Sequence, residues 1–231
     1  MQGGTDKTFN PFLPYDPDMY VADLSKSHVC LLNKFNVIPH HILIVTKEFE
    51  EQDNLLTLQD FEALWFCLQE FDGLGFYNGG QAAGASQRHK HLQIAPLPFT
   101  ATEAGIPLES VLPTKQKNGS IRQAANLPCE HALISLANTR EKSILHLAEQ
   151  SLESYYKLRS FLKQRQADPY NLLITKDRML CIPRTRASYL SIQVNALGFA
   201  GSFFVRTKNE LDILKHHGPI NILKGVTFPK G

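Results

Sequence analysis

Short apolar runs separated by turn residues predict four strands in the first hundred residues. Residues 28–33, HVCLLN, and 41–49, HILIVTKEF, are rich in Val, Ile and Leu, and the turn residues between them predict two adjacent strands. LGFYNGG, residues 74–80, and RHKHLQIAPL, residues 88–97, predict a strand, a loop and a second strand. Prolines are expected to end the last strand because proline cannot donate to a sheet ladder.

Two segments carry apolar residues at helical spacing. Residues 57–71 begin with Thr57 and Asp60 in the spacing of a capping box, which predicts the start of a helix. Residues 143–166 predict a long amphipathic helix with a solvated charged face.

The remaining segments give weaker signals. Residues 99–142 show little periodicity and are expected to form loops with short elements. Residues 170–185 predict a hairpin that turns at Lys176 to Arg178, and residues 209–218, NELDILKHHG, predict a further helix. Together these elements predict an α+β protein with antiparallel strand pairs.

Composition narrows the possible partners. The 231 residues are 43% hydrophobic and 20% charged, which suits one domain, or two small ones that share a core, and argues against disorder. The 24 Lys and Arg residues against 22 Asp and Glu leave a net charge of +2. This balance gives no electrostatic reason to expect nucleic acid or a membrane as a partner, and it leaves a small anionic ligand open.

The cysteines bear on the cellular compartment. Cys30, Cys67, Cys129 and Cys181 lie far apart without a C-x-x-C pair, so we expect buried thiols rather than a zinc cluster or disulfides. The chain has no stretch of about 18 apolar residues and no signal-peptide pattern at its start. We therefore expect an unanchored, cytoplasmic protein.

Candidate chemistry is concentrated in residues 77–98, YNGGQAAGASQRHKHLQIAPLP. Side chains alternate along a strand, so His89, His91 and Gln93 are predicted to project from one face. Histidines held by hydrogen bonds on a solvated face are one interpretation, and a metal site is another, although no third ligand is near. A third is nucleophilic catalysis by a neutral imidazole, which needs an anion-binding group beside it.

The glycine-rich stretch before the histidines could bind that anion. In GGQAAGASQ, residues 79–87, small residues allow backbone N–H groups to approach a ligand closely. The stretch is not a Walker loop, because Ala85 stands where the lysine is required and a strand follows instead of a helix. A plain tight hairpin is the alternative.

Five segments carry a family resemblance: NPFLPYD, LNKFNVIPHHILIVTKEF, YNGGQAAGASQRHKHLQIAPLP, YNLLITKDRMLCIPRT and VNALGFAGSFFV. They resemble the diadenosine tetraphosphate phosphorylases, or ATP adenylyltransferases, of the histidine-triad superfamily. The resemblance implies a triad-like α+β fold, a mainly antiparallel sheet flanked by helices. It also implies a catalytic core over residues 1–100, connecting loops and a long helix over 101–168, and an adenylyltransferase-type C-terminal part over 169–231.

The resemblance implies an activity as well. Members of this family phosphorolyse diadenosine tetraphosphate to ATP and ADP, reversibly, through a covalent adenylyl-histidine. Triad hydrolases usually have a third histidine at the position of Gln93, and hexose-1-phosphate uridylyltransferases typically have proline at that of Lys90. A triad hydrolase, a uridylyltransferase-like enzyme and a non-catalytic nucleotide-binding protein remain the alternatives.

The resemblance assigns roles by position. His91 corresponds to the nucleophile, His89 to the residue whose carbonyl orients the nucleophilic ring, and Gln93 to an amide that contacts the phosphoryl group. The expected nucleotide-binding and phosphate-binding residues are Asn33, Lys34, Asn36, Asn78, Gly84, Ala85, Ser86 and Gln87. Gln193 and Asn195 alternate near the C-terminus and are added as cleft residues, whereas His41 is expected to be a strand-end residue.

The expected partners are small nucleotides and inorganic phosphate, with Mg²⁺ carried by the polyphosphate substrate and no dedicated metal site or tightly bound cofactor. The sequence leaves the oligomeric state open, with a monomer favoured. Family members usually carry a further segment before NPFLPYD that contributes to the cleft wall. We expect its absence here to affect nucleotide preference rather than transfer chemistry.

Overall fold

A nine-stranded sheet is the centre of the fold in a computed structural model, which describes residues 10–35, 38–99, 105–112, 119–136, 139 and 142–230. The strands of this sheet are β1 (Tyr20–Asp23), β2 (His28–Leu32), β3 (Ile42–Thr46), β4 (Gly73–Gly79), β5 (His91–Pro96), β6 (Ile121–Arg122), β7 (Ala132–Ser135), β8 (Tyr170–Ile174) and β9 (Arg178–Pro183). Their spatial order is β1-β2-β3-β5-β4-β8-β9-β7-β6, and neighbouring strands pair antiparallel.

A small hairpin, five α-helices and three short 3-10 helices complete the described elements. The hairpin is β10 (Ser188–Tyr189) with β11 (Ile192–Gln193), and the helices are α1 (Leu58–Glu70), α2 (Ile144–Phe161), α3 (Ala196–Ala200), α4 (Lys208–His217) and α5 (Pro219–Gly225). The predicted α+β class with antiparallel pairs is confirmed.

Most of the predicted elements are present. β2 and β3 are neighbours, and β8 and β9 form the predicted hairpin. Helix α1 begins after Thr57, whose side chain accepts a hydrogen bond from the Asp60 N–H while the Asp60 carboxylate accepts from the Thr57 N–H. This is the predicted capping box.

The structure corrects the long helix and adds another. Helix α2 ends at Phe161 instead of residue 166, because Lys163 has a φ of +52° and cannot continue a right-handed helix. Helix α5 was not predicted. Gly218, at φ +76°, ends α4, and Pro219 starts α5 at a position where its missing N–H is not needed.

The sheet separates two apolar layers. Helices α1 and α2 pack on one face, where the Trp65 indole N–H donates to the Ser151 hydroxyl at 2.7 Å. Leu92 and Ile94 of β5 belong to this layer, so the alternate side chains of β5 point to the other face. The opposite layer includes residues of α3 and α5.

β4 pairs with β8, so one sheet joins the first hundred residues to the C-terminal part. The division into residues 1–100, 101–168 and 169–231 stays a prediction. The four cysteines are buried and free, as predicted. Among the described residues, no helix has the length and apolar character needed to cross a membrane.

Candidate active site

A cleft of about 1480 Å³ opens on the face of the sheet that carries His91 and Gln93. Its walls come from β2 and β3, from the loop after β4, and from the chain around β11 and α3. The predicted site residues that line it are Asn33, Lys34, Asn78, Gly84, Ala85, Ser86, Gln87, His91, Gln93, Gln193 and Asn195. His89 does not line it, and Asn36 lies outside the described residues.

His91 lies at the start of β5 with its ring fixed in one tautomer. Its Nδ1 is 2.8 Å from the carbonyl oxygen of His89, and a carbonyl can only accept, so Nδ1 carries the hydrogen and Nε2 the lone pair. Burial lowers the pKa of His91 to about 4, which keeps the ring neutral at pH 7. Phe12 packs against the ring with 5.3 Å between centroids. The ring is therefore in the form that a nucleophile requires.

The ring of His89 does not line the cleft, although it packs against Phe12 as the ring of His91 does. β5 begins only at His91, and His89 forms an isolated bridge with Glu51. The His89 Nε2 is 2.8 Å from the Thr46 carbonyl, and its Nδ1 is 3.0 Å from the Asn10 side-chain amide. The side chain thus ties the N-terminal loop to β3, while the carbonyl reaches His91.

Gln52 is a site residue that the sequence did not reveal. Its buried amide accepts from the His91 N–H at 2.8 Å and donates to the carbonyls of Asn78 and His91 at 3.0 and 3.1 Å. β4 and β5 pair only as far as Phe76 and Gln93, so the Gln52 amide replaces the next step of the ladder. Nothing in its local sequence indicates this role, because the contact depends on chain-distant strands.

The glycine-rich loop is held by bonds within itself. The N–H groups of Gly84 and Ala85 donate to the carbonyls of Gln81 and Gly80. Ser86 and Gln87 also line the cleft, and no acceptor among the described residues binds their N–H groups. Fewer backbone N–H groups are therefore available to an anion than predicted: those of Ser86 and Gln87, but not those of Gly84 and Ala85.

Asn78 supports the loop from beneath. Its side-chain oxygen accepts from the Asn171 amide at 2.8 Å and from the Ala196 N–H at 2.9 Å, and the Asn171 amide also donates to the Ala83 carbonyl at 2.8 Å. Asn78 thus joins the loop to the N-terminus of α3. Asn195 caps α3 through its own side chain, which accepts from the Leu197 N–H.

Comparison with known proteins identifies the family. The model of the Ap4A phosphorylase N-terminal domain matches residues 1–114, and that of the ATP adenylyltransferase C-terminal domain matches residues 125–229. Diadenosine tetraphosphate phosphorylase 2 of Saccharomyces cerevisiae is 30% identical over 239 residues, which cover 90% of this chain and 72% of the yeast protein. The chain belongs to the Ap4A phosphorylase and ATP adenylyltransferase family.

Two solved structures of this phosphorylase family have the same fold. The yeast Ap4A phosphorylase Apa2 in complex with AMP gives a TM-score of 0.82 at 27% identity, covering 96% of this chain and 80% of that chain. The same yeast protein in complex with Ap4A gives 0.80 at 27% identity, covering 96% and 81%. The predicted triad-like fold is confirmed.

His41 lies in the cleft of this phosphorylase-family fold, although the sequence favoured a strand-end role. Its side-chain Nδ1 is 3.2 Å from the Asn33 amide, and its buried Nε2 has no hydrogen-bond partner among the described residues. Burial lowers the pKa of His41, and the Gln93 side chain partly offsets that effect. In the sequence, the only indication that His41 belongs to the cleft was its place directly after Pro39-His40, in a segment that resembles the family.

The outer wall carries the more exposed polar groups. Lys34 is largely exposed and lies 3.5 Å from Asp16, and Gln193 is also exposed. The described residues contain no group of three or more His, Cys, Asp or Glu arranged to hold a metal ion. The arrangement offers a neutral imidazole, backbone donors and an amide, which together suit transfer of a phosphoryl-linked group.

Proposed function

We propose that this chain phosphorolyses diadenosine tetraphosphate to ATP and ADP, and catalyses the reverse reaction, through an adenylyl group on His91. The observation that carries the proposal is the neutral His91 ring, whose Nδ1–H is bound by the His89 carbonyl at 2.8 Å inside the cleft. Family membership supports the substrate class, because the yeast relatives are Ap4A phosphorylases.

The proposed reaction has two displacements. The lone pair of His91 Nε2 forms a bond to the α-phosphorus, and the bond to the bridging oxygen breaks, releasing ATP. Inorganic phosphate then attacks the same phosphorus, the N–P bond breaks, and ADP leaves. Throughout, the His89 carbonyl holds the Nδ1–H and stabilises the positive charge that develops on the ring.

Gln93 suits an acceptor that arrives already ionised. An amide can donate a hydrogen bond to a phosphoryl oxygen but cannot exchange a proton near neutral pH. Phosphate is anionic before it attacks, whereas water would have to lose a proton. A glutamine beside His91 therefore favours phosphorolysis over hydrolysis, and the unpaired N–H groups of Ser86 and Gln87 are available to phosphoryl oxygens.

Three further features belong to this proposal. The polyphosphate enters as its Mg²⁺ complex, because its charge exceeds that of the basic side chains Lys34 and Arg206 in the cleft. A monomer is active, since one chain supplies both walls. The compartment is the reducing cytoplasm, which the four free thiols support.

Labelling of the protein tests the proposal. The enzyme and its His91→Ala variant are incubated with adenine-labelled diadenosine tetraphosphate, with and without phosphate. We expect acid-labile, base-stable label on the wild type only, discharged by phosphate as ADP, with ATP as the other product. His91→Ala should still bind nucleotide, because the rest of the cleft remains.

Two other outcomes point to different functions. AMP released without phosphate would indicate a triad hydrolase. Nucleotide bound tightly with neither label nor ATP would indicate a non-catalytic binding protein.

A further inference from the structure

Arg184 is a buried arginine directly behind the glycine-rich loop. Only 1% of its surface is exposed, and all five of its N–H groups are used. Their acceptors are the carbonyl oxygens of Ala83, Arg186, Val194 and Val226 and the side-chain oxygen of Asn171. Every one of these acceptors is formally neutral.

The charge of Arg184 is not cancelled within the described structure. No carboxylate of the described residues lies within 4.0 Å of its guanidinium. Burial lowers the pKa of Arg184 to about 9, so the group is still positively charged at neutral pH. Burying a charge without a counter-ion is costly, and hydrogen bonds to neutral acceptors offset only part of that cost.

The Arg184 guanidinium lies between two segments that form the cleft walls. Nη1 is 3.1 Å from the carbonyl of Ala83, which lies in the glycine-rich loop directly before Gly84, and Nη2 is 2.9 Å from the carbonyl of Val194. Gly84 and Val194 both line the cleft, on walls that come from the N-terminal and the C-terminal half of the chain. One guanidinium therefore holds the two walls together. Although it does not itself line the cleft, its positive charge lies behind Gly84 and Val194, which do.

We propose that Arg184 is a positioning residue for polyphosphate, whose uncancelled charge attracts the phosphates while its hydrogen bonds fix both cleft walls. The inference rests on the proposed function, since it assumes that phosphates occupy this cleft. Arg184 would act on the bound phosphates without touching them, since it does not line the cleft. A charge behind the loop acts strongly because the protein interior screens it less than water does.

The dependence of affinity on phosphate number tests this role. Binding of adenosine, AMP, ADP and ATP is measured by calorimetry for the wild type and Arg184→Met. With a nearby unit charge removed, we expect ATP affinity to fall on the order of tenfold and adenosine affinity by less than about twofold. A residue that only held the walls together would affect all four ligands equally, and that result would overturn the inference.

Arg159 provides a matched control. It is also buried, stacks on Tyr170 and donates to the carbonyls of Arg165 and Gln166, but neither of these two residues lines the cleft. Arg159→Met should lower thermal stability without changing how affinity rises with phosphate number. A similar selective loss of ATP binding in this variant would contradict a specific role for Arg184.

A second variant covers the case in which Arg184→Met does not fold. Asn171→Asp puts a carboxylate at the atom that accepts from Nη1, which cancels the charge while the arginine is retained. It also removes the two bonds that the Asn171 amide donates to Asn78 and Ala83, so adenosine binding is the reference for that loss. Affinity should again fall more for ATP than for adenosine, and an equal fall would overturn the inference. If the wild type bound no nucleotide at all, the proposed function itself would fail. If the wild type forms the adenylyl-enzyme and the variants lose affinity for ATP and adenosine equally, only the role of Arg184 would be removed.

Discussion

His91 and its immediate neighbours illustrate chemistry set at the scale of single residues. Burial is the main reason for its low pKa, the hydrogen bond to the His89 carbonyl opposes the shift, and the nearby rings of His89 and His41 add to it. The same surroundings that keep the ring neutral for attack must therefore make the fold sensitive to acid.

Stability should fall as the pH is lowered between about 6.5 and 4. The unfolded chain binds a proton to His91 near pH 6.5, and the folded chain only near pH 4, so stability is complete above pH 6.5 and is lost on acidification. Between pH 7 and 5 this residue alone accounts for about 2 kcal/mol of unfolding free energy. Urea unfolding of the wild type at both pH values measures it.

The His91→Ala variant is the control for that experiment. It should lose about 2 kcal/mol less stability than the wild type between pH 7 and 5, because alanine does not titrate. A residual pH dependence is expected, since burial also lowers the pKa values of His89, His41 and His131. An unchanged difference between pH 7 and 5 would show that His91 titrates normally in the folded protein.

At the scale of elements, buried charges connect the start of α1 to Lys90, the residue directly before β5. Asp60 belongs to the capping box of α1 and accepts from Lys90 at 2.6 Å and His28 at 3.0 Å. Burial alone would raise the pKa of Asp60, but the bonds from His28 and Lys90 hold it below its usual value. Lys90 is the residue between His89 and His91, so the helix start fixes the backbone that orients the His91 ring.

Removing the charge of Asp60 should cost more than removing the cap. Asp60→Asn leaves the buried Lys90 ammonium with the half-exposed Glu50 carboxylate at 3.1 Å and the neutral Leu55 carbonyl at 3.1 Å, and we expect about 3 kcal/mol lower stability together with a lower kcat. Thr57→Ala removes the capping hydroxyl and is expected to cost about 1 kcal/mol with kcat unchanged. Urea titration and steady-state kinetics measure both, and equal effects would mean that the cap alone matters.

At the scale of the whole molecule, the cleft depends on close contact between the two halves of the chain. Gly84 has a φ of +91°, and a Cβ there would lie 2.6 Å from the Val194 carbonyl oxygen. Gly80 has a nearly equal φ of +92°, but its Cβ would meet nothing nearer than Asp53, at 3.6 Å. A side chain at either position would therefore strain the backbone, but only one at Gly84 would also meet the opposite wall of the cleft.

Substitution of these glycines separates strain from contact. Gly80→Ala and Gly84→Ala should each lose about 1–3 kcal/mol of stability through backbone strain. Only Gly84→Ala should also push the walls apart and weaken ATP binding by about tenfold, equivalent to about 1.4 kcal/mol. Thermal unfolding and ATP titration measure the two effects. Comparable ATP affinities in the two variants would rule out the wall contact as the cause.

The sequence predicted those features whose causes are local. The capping box at Thr57, the apolar runs of β2 and β3 and the hairpin of β8 and β9 depend on residues a few positions apart. The family resemblance likewise indicated nine of the residues that line the cleft, because they are clustered along the chain. The end of α2 was missed because a positive φ at Lys163 leaves no clear mark in the sequence.

Tertiary structure alone decided which side chains meet. Gln52 reaches His91, Asn78 reaches Ala196, and Arg184 reaches Ala83, across separations of 39, 118 and 101 residues. It also bound the His89 ring to the Thr46 carbonyl. Periodicity reports which face of an element is buried, but hydrogen bonds between distant segments depend on how the elements pack, which no local pattern records.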